Sequence, residues 1–168
     1  DEIWQAMPHK NGDDQRNVVL NVMNEPFMQY ALPEEEMAKW DALETLRDGV
    51  NAALESARAQ KKIGKSLEAK LTLVTKTPVQ DTALEEVRQA FENQWADLFI
   101  VSQVEVKEDA GLYDTAAETT VEGVRVLVEE AAGQKCERCW KHDGAVGQDA
   151  AHPTLCPRCA QVVSKMGL

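Results

Sequence analysis

The sequence predicts an α+β fold, a long helix and a small sheet with a second helix, followed by a C-terminal ribbon built on four cysteines. Three observations predict it. Apolar residues recur three or four apart from Met37 to Ala57, which is the period of one helix face. Short Val- and Leu-rich stretches at 69–75, 97–107 and 120–130 alternate or run apolar in the manner of strands. All four cysteines of the 168-residue chain fall in two Cys-x-x-Cys pairs near its end.

Length allows one ordinary domain or two small ones, and a hydrophobic content of 43% suffices for a modest core. No apolar run approaches a membrane span and no charged-then-apolar leader opens the chain, so the reading is soluble and cytoplasmic with no membrane partner; a monomer is expected. Asp1-Glu2-Ile3-Trp4 starts in mid-pattern without an initiator Met, as expected of a piece of a longer polypeptide. The net charge of -11 excludes a protein whose whole surface embraces nucleic acid. Its distribution is uneven. Residues 133–168 hold five basic against three acidic side chains, formally +2, so the preceding 132 residues carry -13. Four thiolates on a divalent metal add about -2 locally and bring the ribbon near neutrality. Nucleic-acid contact there would depend on placed arginines and stacking rather than on field strength.

In chain order, Ile3, Trp4 and Met7 share one side of a helix end that Pro8 and Asn11-Gly12 stop. Asn17 to Asn24 is Val-rich and too short for a stable helix, so it reads as a short strand or extended arm, with Trp4 and Phe27 as packing residues. A long helix starts at Pro33: Glu34, Glu35 and Glu36 complement its positive end, and Met37, Trp40, Leu43, Leu46, Val50, Leu54 and Ala57 form its apolar stripe. Gly64 is the expected stop. Arg58, Lys61, Lys62, Lys65 and Lys70 cluster at that end, either as cations complementing a helix C-terminus or as a patch facing phosphates. Ala69–Thr75 reads as a half-buried strand, and 82–96 as the second helix, with Thr82 and Glu85 in capping-box spacing. Asp97–Lys107 reads as a central strand, 108–120 as an acidic loop and 120–130 as the last strand. The boundaries expected are 1–32 for a helix end and connector, 33–132 for the α+β unit and 133–168 for the ribbon.

Cys136, Cys139, Cys156 and Cys159 are spaced for a tetrahedral four-thiolate site: two intervening residues let a tight turn aim both sulfurs at one ion, and two such turns complete the tetrahedron. Zinc is the usual occupant and iron the remainder. A closed site has no position for an activatable water, so one structural Zn2+ is expected, replacing a core that roughly thirty residues cannot build. Two disulfides or a dithiol redox centre fit poorly with matched knuckles and no secretory leader. His142 and His152 are ligands by type only, because four cysteines fill the site. The 144–153 stretch between the pairs suits a short β-hairpin. Trp140 either caps the mini-core or, beside Arg138, Lys141 and Arg158, offers a stacking platform for an unpaired base.

Gly133-Gln134-Lys135-Cys136-Glu137-Arg138-Cys139-Trp140, Cys156-Pro157-Arg158-Cys159 and the upstream Lys62-Ile63-Gly64-Lys65-Ser66-Leu67-Glu68-Ala69 together resemble the C-terminal end of bacterial isoleucyl-tRNA synthetases. The resemblance implies that 1–32 closes a helical anticodon-binding domain, that 33–132 is a junction domain and that the zinc ribbon supports recognition of the anticodon end of tRNA(Ile). It further implies that ATP is used only by a distant catalytic domain in the upstream remainder of the synthetase. The family's His-x-Gly-His and Lys-Met-Ser-Lys-Ser motifs do not occur in this sequence, so no catalytic residue is assigned here and whether the piece counts as an enzyme stays open. RNA contacts are expected from Trp140, Arg138, Lys141 and Arg158, with a weaker backbone patch at Lys61, Lys62 and Lys65. The same cysteine spacing is similar to the finger of formamidopyrimidine-DNA glycosylases and, less closely, to rubredoxin-like iron carriers. The acidic, strand-rich region before the ribbon does not suit the first, and the cations around the cysteines suit nucleic acid better than the second.

Overall fold

A computed structural model describes residues 2–23, 25–76, 85, 88–89, 91 and 94–167. The chain forms two compact units, Asp1–Pro33 and Glu34–Leu168.

The first unit opens with helix α1, Glu2–Ala6, and is held mainly by polar contacts. Trp4 Nε1 donates to the Asp14 carbonyl at 3.0 Å, and the Trp4 and His9 rings meet edge-on at 4.7 Å. The Asn21 side chain accepts from Asp14 N–H at 2.7 Å and donates to the carbonyls of Asp14 and Asn17. The strand or arm expected at 17–24 is instead a 3-10 turn at Val18–Leu20: Asn17 Oδ1 accepts from Val19 N–H, and Asn21 N–H reaches Val18 O. A lone strand leaves its backbone groups unpaired, whereas a capped turn satisfies several locally. Phe27, expected to pack, is 61% exposed and meets only the neighbouring Tyr30 ring among the described aromatic pairs.

The second unit begins with α2, Glu34–Ala59, where the sequence places it. Leu43, Leu46, Val50, Leu54 and Ala57 are buried, while Met37 and Trp40 at the first turns stay partly open, Trp40 against Phe91 at 5.0 Å. The helix does not run to Gly64. Lys61 N–H returns to Arg58 O and Lys62 N–H to Ala57 O, a Schellman closure that puts Lys61 in the left-handed region at φ 58.

Strand β1, Ala69–Thr75, follows a short 3-10 turn at Ser66–Glu68. Helix α3, Trp95–Leu98, precedes β2, Gln103–Glu108; α4, Ala110–Thr115, precedes β3, Ala117–Glu118, and β4, Val124–Glu130. The sheet order is β2-β1-β4-β3, with β1 parallel to β2 and antiparallel to β4, and Leu73 opposite both Val106 and Val126. This reverses two expectations. β1 is an inner strand, between β2 and β4, and is buried on both faces, Thr72 included, whereas the 97–107 stretch supplies an edge strand only from Gln103. The apolar run before it is spent on packing: Phe99 stacks on Trp95 at 5.3 Å and is buried, Ile100 turns out at φ 56, and Val101 turns back into the core. The parallel β1–β2 pairing needs a crossover, and Glu85, Arg88, Gln89, Phe91 and α3 supply its described helical residues. The Thr82 cap of the expected second helix lies outside the described residues.

The expected 108–120 loop is ordered by Asp109, whose carboxylate accepts from Leu112 N–H and starts α4. Tyr113 then receives Arg125 at 4.6 Å and Lys76 at 5.1 Å from its ring centre. Across the sheet, α2 comes so close to residues 119–120 that a Cβ on Gly49 would lie 2.7 Å from Thr119 Cβ and 2.8 Å from Thr120 N. Gly49→Ala, which improves helix propensity, is therefore expected to lower unfolding stability in urea by about 1–3 kcal/mol through overpacking. Lys61→Gly is expected to raise it by about 1 kcal/mol, because only the left-handed strain at the Schellman position is removed.

Candidate metal centre

The ribbon starts with a two-strand hairpin, β5 at Gln134–Lys135 and β6 at His142–Asp143. The hairpin encloses the first knuckle instead of lying between the two, which corrects the sequence expectation. Cys136 N–H donates to Lys141 O and Trp140 N–H to Cys136 O, both at 2.9 Å, and this closes the turn that carries Cys136 and Cys139. Gly133 is indispensable there: at φ 97 its missing Cβ would lie 2.3 Å from the Asp143 carbonyl carbon.

The second knuckle opens a helix that the sequence reading missed, α5, Pro157–Lys165. Pro157 sits at its first position, the available signal. Cys156 as the flanking residue and Cys159 three later face the same side, and the helix's positive end lies at their sulfurs.

The four Sγ atoms lie within 4.8 Å of one another, and Cys136, Cys156 and Cys159 are buried. Cys139 and Cys156 sulfurs are 3.8 Å apart, about the edge of a tetrahedron with ~2.3 Å zinc–sulfur bonds. Cys156 N–H donates to Cys136 Sγ at 3.3 Å and Arg138 Nη1 approaches Cys159 Sγ at 3.7 Å, so two donors already address sulfur. Burial pushes the Cys136 thiol up, but backbone N–H groups of Cys139, Cys156 and Arg138 outweigh it and bring the pKa down to about 6. Burial, aided by the neighbouring sulfurs, pushes Cys139 up to about 12. Four crowded sulfurs cannot all ionise unless a cation offsets them, and that is the chemistry of a thiolate metal site. Among the described residues no other group of His, Cys, Asp or Glu is gathered this way. His152 Nε2 instead meets Ser164 Oγ at 3.2 Å, and His142 lies in β6.

Two of the residues that pin the ribbon to the sheet, Ser102 and Gln103, carried no signal in the sequence. Ser102 Oγ donates to Leu67 O at 2.5 Å and accepts from His142 N–H at 2.7 Å. Gln103 pairs with both backbone groups of Ala132, and Ala131 N–H reaches Glu68 O at 2.7 Å. Glu68 in turn accepts from Gly64 and Lys65 N–H, which hold its carboxyl below the usual range. The Lys62–Ala69 run is thus the socket for the ribbon.

The proposed RNA-facing side chains are not equally free. Trp140 is 60% exposed, with its backbone in the left-handed region at φ 66. It is not among the hydrophobics packed against the cysteine cluster. Lys141 is paired with Asp97 and Arg138 is turned to Cys159, while Arg158 is exposed and near enough to Asp97 to lower its pKa further. Lys61, Lys62 and Lys65 are exposed along the Schellman turn and the segment after it, on the α+β body and not on the knuckles.

Residues 133–162 match the family model described as a zinc finger found in FPG and IleRS. That description covers both the synthetase and the glycosylase readings, so it fixes the metal module without choosing between them. Isoleucine–tRNA ligases of Gloeobacter violaceus, Geobacter sulfurreducens and Geobacillus thermodenitrificans are 42%, 38% and 41% identical over 165, 163 and 172 residues, covering 97–98% of this chain. The chain resembles isoleucine–tRNA ligases along essentially its whole length. It spans only 16–17% of the length of these relatives. The ligase match extends through the acidic body, which the finger model does not reach, and the structural metal is zinc.

Chelation of that zinc is expected to abolish amide-exchange protection across 133–162 while β1 and β4 stay protected, because the sheet has its own core. Gly133→Ala should produce the same local loss with the four thiols present. Acidification should act in two stages: protons displace zinc first, and the Asp97–Lys141 clamp fails later. Asp97, lowered below 3.8 chiefly by the Lys141 hydrogen bond, contributes fully above that value and loses its contribution as pH falls through the lowered pKa. Zinc content by native mass spectrometry and exchange at 97–102 would separate the stages.

Proposed function

We propose that this segment binds the anticodon end of tRNA(Ile) as part of an isoleucine–tRNA ligase and performs no chemistry itself. Cys136, Cys139, Cys156 and Cys159 hold one structural zinc, and the knuckle they fix presents Trp140. The observation that carries this reading is the exposed indole on a left-handed backbone at the rim of a metal-stiffened turn. A large apolar surface kept open at a conformation that favours glycine has a use in stacking on an unpaired base.

Arg158 meets phosphate or base edges from the second knuckle. Arg138 and Lys141 reach RNA only with the hydrogens their protein partners leave over, so their share is smaller. Lys61, Lys62 and Lys65 form a second, weaker backbone patch. The -13 carried before residue 133 makes the isolated segment a poor RNA binder and leaves most affinity to other parts of the ligase. Activation of isoleucine with ATP is assigned to that upstream polypeptide. A cytoplasmic location suits four cysteines used as metal ligands, since these need a reducing compartment. Residues 1–32, 33–132 and 133–168 serve as connector, junction domain and ribbon.

Trp140→Ala in the full-length ligase is expected to weaken tRNA(Ile) binding by about 1–3 kcal/mol with zinc content unchanged. Arg158→Ala is expected to weaken it less and to flatten its salt dependence. Unchanged affinity in the Trp140 variant, with zinc retained, would overturn the stacking role.

A further inference from the structure

Lys135 precedes the first cysteine and has no role in holding the metal. Its strand β5 pairs with β6, Lys135 opposite His142, and the turn between them returns the chain so that Trp140 sits beside it. The Lys135 ammonium stands 5.6 Å from the centre of the Trp140 ring, within cation–π range. Lys135 is exposed, and its described contact is with that ring, not a carboxylate. Arg138 and Lys141, closer to the indole in sequence, both have protein partners.

We propose that Lys135 is a positioning residue for RNA: in the free protein it holds the plane of the Trp140 ring from one side, and on binding its ammonium passes to the phosphate of the nucleotide stacked on that ring. This rests on the stacking reading of Trp140. An exposed indole on a single left-handed residue has freedom about its side-chain torsions, and a cation held over one face restricts it before RNA arrives. A nucleotide's phosphate hangs from its base through one sugar, within the sweep of the four-carbon lysine stem, so the same ammonium can leave the ring for the anion. Lys135, and not Arg138 or Lys141, is the cation that stands over the platform.

The test is a double-mutant cycle in the full-length ligase with a tRNA(Ile) transcript, measuring dissociation constants across a salt series, with zinc content checked for every variant. Lys135→Met should weaken binding several-fold and reduce the slope of log affinity against log salt by about 0.7, one phosphate on single-stranded RNA. Lys135→Arg should restore most of both, and the Lys135→Met effect should shrink when Trp140→Ala is already present. Unchanged affinity and slope in Lys135→Met, with Trp140→Ala still weakening binding, would overturn the role of Lys135 and leave stacking intact. Additive effects would overturn the coupling to Trp140. A Trp140→Ala variant that binds normally would remove the stacking reading first and this inference with it.

Discussion

Four cysteine sulfurs within 4.8 Å of one another are tolerable only with a cation between them, and the ribbon depends on that condition. Among the described residues, the hydrophobics other than cysteine packed around the cluster are Val146 and Leu155, too few to replace the metal as a core. The metal therefore does the work of a core, and it determines what the surface can afford. Trp140 can remain exposed in a left-handed conformation because the turn beneath it is closed by coordination and by the Cys136–Lys141 and Trp140–Cys136 backbone bonds. In a turn held by apolar contact alone, the same indole would gain more by folding inward.

The body of the second unit meets the ribbon through polar groups whose geometry is short and specific. Ser102 joins Leu67 to His142, Gln103 joins β2 to Ala132, and Glu68 holds the turn at Gly64 and Lys65. These bonds give the Lys62–Ala69 run two roles that coexist: its backbone and Glu68 form the socket, while the side chains of Lys62 and Lys65 point to solvent. The alternative readings of the cationic cluster, helix-end complement or phosphate patch, are not exclusive for the same reason. Lys61 closes the helix with its backbone and leaves its ammonium unburied.

The left-handed residues Lys61 and Trp140 differ in what surrounds them. At Lys61 the conformation terminates a helix, and glycine would serve as well or better. At Trp140 glycine would satisfy the turn but remove the platform, so the side chain and not the backbone accounts for the residue.

Long, periodic features were legible before folding. The α2 stripe, the acidic first turn and the paired cysteines rely on spacing within one segment, which a sequence displays directly. Strand rank was not legible. The apolar run at 97–101 resembled a buried strand, but Phe99 and Val101 bury themselves from the end of α3 and the irregular residues after it, and only the parallel pairing with β1 decides that β2 begins at Gln103. Helix α5 carried one local signal, Pro157 in its first turn. The socket residues Ser102 and Gln103 had no signature, since a hydroxyl or amide acquires meaning only when a distant carbonyl or N–H is brought to it. By itself the sequence determined the metal chemistry, the long helix and the likeness to isoleucine–tRNA ligases, all carried by residue type at short spacing. Tertiary structure alone decided which cations are already paired, that Trp140 faces solvent and that Lys135 stands over it, because each depends on which parts of the chain pack side by side.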